Sequence, residues 1–383
     1  MKKKYVVLSI ITLVLLIAFV TSFNYFKTSN TYVENNSNNQ TKITKGISMN
    51  LEQTAGAGDY KQVTQSNWPG DDYAFNAELS KCENGSTLSW DNTKNVVVFS
   101  GNVSDKCYVY FDIWIPPSIA VYCSSGTDLA TCVKNFGNQG PDISNIYIHN
   151  SSLDNGAGDN SYRYAGASDS VNNYICLGSD ATTCPDANLF RIIGVFGDKT
   201  KVIRAKSAGT QIWDKNGSNT WSTSSLNTYL NGTYLTSLGT LADKIATTTW
   251  KVGGGSSTYL YDVPKTAYQY EVGSGASTTT HDAKIGLMYV SDYGFAADQS
   301  GWTTKLSSYN SNTSKNWLYL GSTELTISRS SDDTTRVFRV SSTGNVNYYL
   351  VADSYAVRPS FNLESSVKYV SGSGSMSDPV RVN

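Results

Sequence analysis

The sequence predicts a mostly β fold with short helices, in the α+β class, and three observations predict it. Runs of β-branched and aromatic residues recur along the chain and are densest after residue 324. Gly, Asn and Ser turn signals separate these runs, and apolar residues at helical spacing occur only in short stretches. The 26 Tyr, 12 Phe and 8 Trp among 383 residues supply enough apolar surface for folded cores.

The charge balance excludes one large class of function. Thirty Lys and Arg against 31 Asp and Glu give a net charge of −1, and only 16% of residues are charged. Non-specific nucleic-acid binding needs an excess of basic side chains to replace phosphate counterions. We therefore expect no nucleic-acid partner.

The N-terminus predicts export from the cytoplasm. Lys2, Lys3 and Lys4 precede an apolar run at residues 5–20, and no further charge occurs before Lys27. Such a segment is typical of a transmembrane anchor or of a signal peptide, and both alternatives stay open for residues 1–26. Either one predicts a cell-membrane protein with an extracellular C-terminal region, or a secreted protein.

The cysteine content agrees with export. Spacings of two to four residues, which zinc sites use, are absent, so disulfides are favoured over a metal site. The sequence alone does not fix the pairing, and sequential pairing is the simplest possibility. The six disulfide candidates would then form the pairs Cys82 with Cys107, Cys123 with Cys132, and Cys176 with Cys184.

Composition shifts divide the rest of the chain into four segments. A polar tether at 27–48 has no apolar periodicity. A small β-module at 49–115 contains strand signals at 96–99 and 108–114 and has a core thin enough to need a disulfide staple. A connector at 116–155 carries one amphipathic stretch at 128–136. A large domain spans 156–383.

Within the large domain, the clearest predictions are a hairpin, a short helix and several strands, each based on neighbouring residues. Residues 189–196 and 201–205 flank Gly197 and Asp198 and predict a hairpin. Ser224, followed by apolar residues four positions apart, predicts a short helix at 224–230. Strands are also predicted at 247–252 and 284–290, and four more from residue 325 to 361.

Four motifs in order give the large domain a family resemblance. Trp221 and Ser222 open a short helix with Leu-Asn pairs at 226–227 and 230–231, and a Gly-Leu-Met-Tyr-x-Ser-Asp-Tyr stretch follows at 286–293. Asn-Trp-Leu stands at 316–318, and Val-Arg-Pro at 357–359. This pattern resembles an uncharacterised C-terminal domain of surface proteins from Gram-positive gut bacteria. That domain is in turn similar to the superfamily of C-type-lectin-like and formylglycine-generating-enzyme-like proteins.

The resemblance implies a C-type-lectin-like domain that binds a sugar or a protein, and it transfers no catalytic residues. The binding candidates in this sequence are three aromatic side chains able to stack on a ligand and one guanidinium: Trp302, Trp317, Tyr348 and Arg358. Most large aromatics belong to cores, and an arginine between apolar residues more often braces carbonyls or a carboxylate. We therefore also expect structural roles among these four.

These features predict a cell-surface or secreted bacterial binding or adhesion protein without catalytic activity, whose extracellular ligand is a glycan or a protein. No cofactor or metal site is expected. An extracellular glycan-acting enzyme is the alternative, because paired carboxylates cannot be identified from sequence. Its scattered candidate acids are Asp243, Glu271, Asp282, Asp292 and Glu324. A structural subunit of an envelope assembly is a third hypothesis.

Overall fold

The computed structural model describes residues 47–63, 68–70, 72–91, 93–102, 104–114 and 117–383. The predicted anchor or signal segment at 1–26 and the tether, apart from its last two residues, lie outside the described residues. The chain divides into two compact units, Met1–Pro116 and Pro117–Asn383. None of the helices within the described ranges is long and apolar enough to cross a membrane.

The described part of the first unit consists of strands. They are β1 (Ile47–Glu52), β2 (Tyr60–Val63), β3 (Tyr73–Cys82), β4 (Thr87–Asp91), β5 (Val96–Ser100) and β6 (Cys107–Ile113). Four of them form a sheet in the order β2-β1-β6-β3, with β1 and β6 parallel, while β4 and β5 form a separate antiparallel pair. The small apolar core of this unit contains Met49, Leu51, Val97, Val109 and Phe111.

The largest sheet of the second unit is mixed. Its strands are β7 (Ile146–Ile148), β8 (Tyr162–Tyr164), β9 (Tyr174–Cys176), β10 (Leu189–Phe196), β11 (Lys199–Arg204), β15 (Ile285–Gly286), β20 (Ser360–Asn362), β21 (Tyr369–Ser371) and β22 (Val380–Val382). The main order is β15-β20-β11-β10-β9-β22-β21, and β8 joins β7 to β10. The predicted hairpin is confirmed, because β10 and β11 pair antiparallel around Gly197, whose φ of 64° suits a glycine turn.

A second sheet and a two-stranded ribbon complete the β structure described for this unit. The remaining strands are β12 (Thr210–Ile212), β13 (Thr248–Lys251), β14 (Thr280–Ala283), β16 (Glu324–Arg329), β17 (Arg336–Val340), β18 (Val346–Leu350) and β19 (Ser354–Ala356). The second sheet has the order β12-β19-β16-β17-β18, and β13 pairs with β14.

The helices of the second unit are short, as expected. They are α1 (Leu129–Gly137), α2 (Pro141–Ser144), α3 (Ser225–Tyr229), α4 (Leu235–Ser237), α5 (Ser257–Leu260), α6 (Pro264–Glu271) and α7 (Val290–Phe295), with one π-helical turn at Leu230–Tyr234. Ser224 caps α3 as its position predicts, because its hydroxyl accepts a hydrogen bond from the Asn227 N–H at 3.1 Å. Short 3-10 turns connect several of the strands. The predicted class, mostly β with short helices, is confirmed for the described residues.

Two predicted strands differ in the structure. The stretch predicted at 356–361 is divided between β19, which ends at Ala356, and β20, which begins at Ser360 in the other sheet. Residues 284–290 were expected to be extended, but only Ile285–Gly286 pair in the sheet, and α7 begins at Val290. The cause is a capping interaction: the Asp292 carboxylate accepts the Tyr289 N–H at 2.9 Å. Glu271 also accepts the N–H groups of Val290 and Ser291, each at 3.0 Å, which holds the chain in a helical turn.

Residues 117–155, treated above as a connector, lie within the second unit. Helix α1 buries Leu129, Cys132, Val133 and Phe136 in the main core, as its apolar spacing predicts. Strand β7 then pairs with β8 at the margin of the large sheet.

All six cysteines are paired, and the sequential pairing is confirmed. Cys82 bonds to Cys107, Cys123 to Cys132, and Cys176 to Cys184. Structural disulfides are stable outside the reducing cytosol, so they indicate an extracellular or secreted environment.

Candidate functional site

A cavity of about 130 Å³ opens where β10 begins and β11 ends. It is lined by two guanidinium groups, those of Arg191 and Arg358, and by the rings of Tyr174 and Trp317. Ser168 and Lys206 also line it. One water needs roughly 10–15 Å³ of such space, so the cavity has room for a group the size of a carboxylate.

Arg191 owes its position to strand pairing. It lies directly opposite Tyr174 in the pairing of β10 with β9, so the two side chains share a face of the sheet. The guanidinium carbon lies 4.3 Å from the Tyr174 ring centre and 4.7 Å from the Trp317 ring centre. Aromatic faces attract cations, so both rings stabilise the charge at this point.

The hydrogen bonds of Arg191 go to neutral oxygens. Its Nε donates to the Asn173 side chain at 2.6 Å, and Nη1 donates to the Ser168 hydroxyl at 2.8 Å and the Trp317 carbonyl at 3.3 Å. Nη2 donates to the Val171 carbonyl at 2.9 Å. No carboxylate among the described residues pairs with this side chain, although it is only 3% exposed. The Arg191 guanidinium is therefore hydrogen-bonded, but no carboxylate of the described residues neutralises its charge.

One edge of the Arg358 guanidinium is hydrogen-bonded to the protein, and the other edge has no hydrogen bond to the described residues. Its Nε and Nη2 donate to the two oxygens of Glu324 at 2.7 and 2.8 Å, and Nη2 also donates to the Leu318 carbonyl at 2.6 Å. This two-point arrangement is the geometry that a guanidinium and a carboxylate prefer. The remaining nitrogen, Nη1, has no hydrogen bond to the described residues, and Arg358 lines the cavity.

The electrostatics of the site are net positive. Burial and the nearby Arg358 charge, opposed by Tyr174, together lower the pKa of Arg191 to about 10, so Arg191 remains a cation at neutral pH. Burial raises the pKa of Glu324, an effect that the Arg358 charge opposes. Two arginines thus face one carboxylate, and no Asp or Glu occurs among the described residues that line the cavity.

The structure brings together two of the four predicted binding residues. Trp317 and Arg358 line the cavity, although Trp317 is largely buried and its indole N–H donates to the Tyr164 carbonyl at 2.8 Å. Their ligand-binding role stays a prediction.

The other two predicted residues lie elsewhere. Trp302 is fully buried against Tyr147 and Phe295, with ring centres at 5.0 and 5.4 Å, so it presents no face to a ligand. Tyr348 is half-buried on β18, stacked on Tyr261 at 5.7 Å.

The sequence analysis missed two residues of the site, Tyr174 and Arg191, and the sequence contained a signal only for Arg191. Arg191 is a cation inside the otherwise apolar run 189–196, the same pattern that drew attention to Arg358. Tyr174 becomes significant only through its cross-strand position, which sequence does not give.

A second cavity, of about 380 Å³, lies beside the end of β11. It is lined by Arg204 at the end of β11 and by Tyr234 in the π-helical turn. The Arg204 Nε and the Tyr234 hydroxyl are buried and have no hydrogen-bond partner among the described residues. Burial raises the pKa of Tyr234 to about 12, so the hydroxyl stays protonated.

The carboxylates proposed for a glycan-acting enzyme do not line either of these cavities. Asp243 and Asp282 are exposed, whereas Glu271, Asp292 and Glu324 are buried and bound to protein groups. Across the residues that the structure describes, no group of three or more His, Cys, Asp or Glu side chains is arranged to hold a metal ion.

Comparison with known families identifies an uncharacterised domain. Residues 197–365 match the model of a domain of unknown function, DUF6273, which confirms the expected presence of an uncharacterised domain. The match includes Trp317 and Arg358 but begins after Tyr174 and Arg191, so the cavity combines residues from inside and outside it. Neither the search of curated proteins nor that of solved structures finds a match.

Proposed function

We propose that this is an exported bacterial binding protein that recognises an anionic group of an extracellular glycan or protein in the cavity formed by Arg191 and Arg358. One observation carries the proposal: Arg191 is a buried cation beside a cavity and has no carboxylate partner among the described residues. A buried charge without a counter-charge is costly, and a bound carboxylate would supply that counter-charge.

The arrangement of the cavity suits recognition rather than acid–base chemistry. Arg358 offers a free Nη1, and the rings of Tyr174 and Trp317 hold the Arg191 guanidinium in one orientation. Preorganised donors bind with less loss of side-chain freedom. The resemblance to C-type-lectin-like domains supports the same proposal, with an acidic sugar as the glycan ligand.

Surface attachment through the N-terminal segment belongs to this proposal. The three disulfides support an extracellular location, and the lysine-flanked apolar run supports membrane anchoring or signal-directed secretion. Cell fractionation with thiol alkylation tests it. We expect the protein in the membrane or medium fraction with blocked thiols, and a cytosolic protein with six reactive thiols would contradict the proposal.

The binding test compares ligands that differ only in charge. Glycan arrays containing uronic and sialic acids beside their neutral counterparts, and peptides with free or amidated C-termini, are screened against the exported protein. We expect binding to require the carboxylate. Arg191→Lys retains the charge but loses the planar fork, and loss of a charged hydrogen bond of about 1.5–3 kcal/mol weakens binding roughly ten- to a hundredfold.

A matched control is available on another strand. Arg336 also lies against a tyrosine ring, 5.0 Å from the centre of Tyr348, but it pairs with Asp333 and is not part of the cavity lining. Arg336→Lys should leave binding unchanged. Equal binding of neutral ligands, or unchanged binding by Arg191→Lys, would refute the proposed site.

A further inference from the structure

A lysine and an aspartate meet in the interior of the second unit, away from both cavities. Lys201 lies on β11 and Asp292 in the first turn of α7, 91 residues later in the chain. The Lys201 Nζ and the Asp292 Oδ2 are 2.5 Å apart, and the two residues are only 5% and 3% exposed. The amine and the carboxyl are therefore in contact where water has little access.

Aromatic rings enclose the amine. Its nitrogen lies 4.7 Å from the ring centre of Tyr289, 5.5 Å from that of Trp250 and 5.6 Å from that of Phe196. Burial lowers the pKa of Lys201, and the Asp292 charge opposes this effect. In such surroundings the neutral amine gains relative to the ammonium, because the charge is not hydrated. A neutral amine is a nucleophile.

A second carboxyl group lies within electrostatic range of the pair. Glu271 is fully enclosed, and its oxygens accept the N–H groups of Val290 and Ser291 and the hydroxyl of Ser328. Burial raises the pKa of Glu271 to about 6, and its charge influences Lys201. The Glu271 charge therefore raises the pKa of Lys201, which opposes the effect of burial.

Arg163 completes the cluster on the other side of the aspartate. Its Nη1 lies 3.5 Å from the Asp292 Oδ1, and its Nη2 pairs with Asp159 at 2.6 Å. Negative charge would develop on a carboxyl oxygen if a nucleophile attacked Cγ, and Arg163 is positioned to stabilise it.

We propose that Lys201 and Asp292 condense to form an intramolecular isopeptide bond that joins β11 covalently to α7. A bond forms between the lysine Nζ and the aspartate Cγ, and the bond between Cγ and one carboxyl oxygen breaks. That oxygen leaves as water with two of the three protons that the amine and carboxyl groups carry between them, and the third stays on the amide nitrogen. The ammonium and carboxylate of the ion pair already contain every atom of the amide and the water, so no co-reactant is needed.

The fold supplies the fixed proximity and the exclusion of water that an amine and a carboxyl group lack in solution. Strand β11 is fixed between β10 and β20, and the Tyr289 N–H holds the Asp292 carboxyl at 2.9 Å, so the reacting groups remain in contact. Fixed proximity of this kind replaces a bimolecular encounter by an intramolecular step. Exclusion of water also removes the competitor that would hydrolyse the product.

The chain contains its own control pair. Lys206 and Asp186 are also in contact, at 2.6 Å, but their side chains are 57% and 64% exposed. Water stabilises both of those charges, so this pair should remain an ordinary ion pair.

Mass spectrometry of the folded, full-length exported protein tests the proposal. After reduction and alkylation, we expect the intact mass to be one water lower than the mass calculated for the alkylated chain. Proteolysis should yield one branched peptide joining Lys201 to Asp292, while Lys206 and Asp186 appear in linear peptides. A folded protein with the full sequence mass would overturn the proposal, and this outcome depends on no variant.

One variant separates the isopeptide from other losses of water. Lys201→Arg keeps the positive charge but cannot form the amide, so it should regain the full mass. A water loss that persists in this variant would indicate a succinimide at Asp292 and would overturn the proposal.

Discussion

Replacing Glu324 by glutamine should lower stability and strengthen anion binding at the same time. Glu324 and Arg358 are both almost completely buried, and Glu324 accepts two hydrogen bonds from the guanidinium. Removing one partner of a buried ion pair typically costs about 3–5 kcal/mol, because the other charge stays buried without compensation. Glutamine keeps the shape and one acceptor oxygen, so we expect the lower end, about 3 kcal/mol.

Urea unfolding with the disulfides intact measures the stability change. The matched control is Asp186→Asn, which removes the carboxylate of the exposed pair with Lys206. Exposed ion pairs contribute about 0–1 kcal/mol, so the control should be near wild type. If Glu324→Gln cost no more than Asp186→Asn, the inference that the buried pair is ionised would be wrong.

Measuring carboxylate binding to Glu324→Gln distinguishes a ligand site from a purely structural ion pair. Without the Glu324 charge, Arg191 and Arg358 face the cavity with two uncompensated cations. We therefore expect a carboxylate ligand to bind more tightly to Glu324→Gln than to wild type and to restore part of the lost stability through linkage. Weaker binding, or unfolding that is insensitive to the ligand, would refute the anion site while leaving the stability prediction intact.

Two further perturbations test the fold. Burial lowers the pKa of His149 from 6.5 to about 2, with Arg163 lowering and Asp159 raising it, so only the unfolded state takes up the proton as pH falls through 6.5. Stability should then decline by about 2 kcal/mol between pH 6.5 and about pH 4.5, and His149→Phe should flatten this slope in urea titrations; an unchanged slope would assign it to other groups. Replacing Cys82 and Cys107 by serine opens a separation of 25 residues, which costs about 3.5 kcal/mol in the chain-entropy account and should expose the first unit to proteases; equal protease resistance would contradict this.

The sequence predicts those parts of the fold that depend on neighbouring residues. The β10–β11 hairpin needs only two apolar runs and a glycine that tolerates a positive φ. Helix α3 needs only Ser224 and the apolar spacing that follows it. The three disulfides follow the same principle, because each joins cysteines that are consecutive along the chain.

The failure at residues 284–290 shows where this reasoning stops. Leu287, Met288 and Val290 are apolar enough for a buried strand, and the one local signal against it is Asp292, which caps the helix at Tyr289. The helical turn at Val290 depends in part on the Glu271 carboxylate, which comes from a different helix. Hydrogen-bond partners that arrive through tertiary packing leave no mark on the residues that they bind.

Only part of the candidate site could be predicted from the sequence. A guanidinium inside an apolar run indicates a buried cation, and the expectation that Arg358 braces a carboxylate or carbonyls is confirmed by Glu324 and Leu318. The identity of such partners is not predictable, since they lie far along the chain. The cavity itself results from several distant segments that meet around Arg191, and the composition gives no sign of it.

The strongest argument for a ligand site comes from comparing the buried arginines of the second unit with one another. Arg163 is paired with Asp159, and Arg358 with Glu324. Arg191 is about as deeply buried as these two but has neutral oxygens and aromatic rings in place of a carboxylate. If Arg191 served only the fold, a carboxylate would stabilise it as well as it stabilises the others. Its position at a cavity explains the difference, because a space left beside an unneutralised cation can admit an anion from outside.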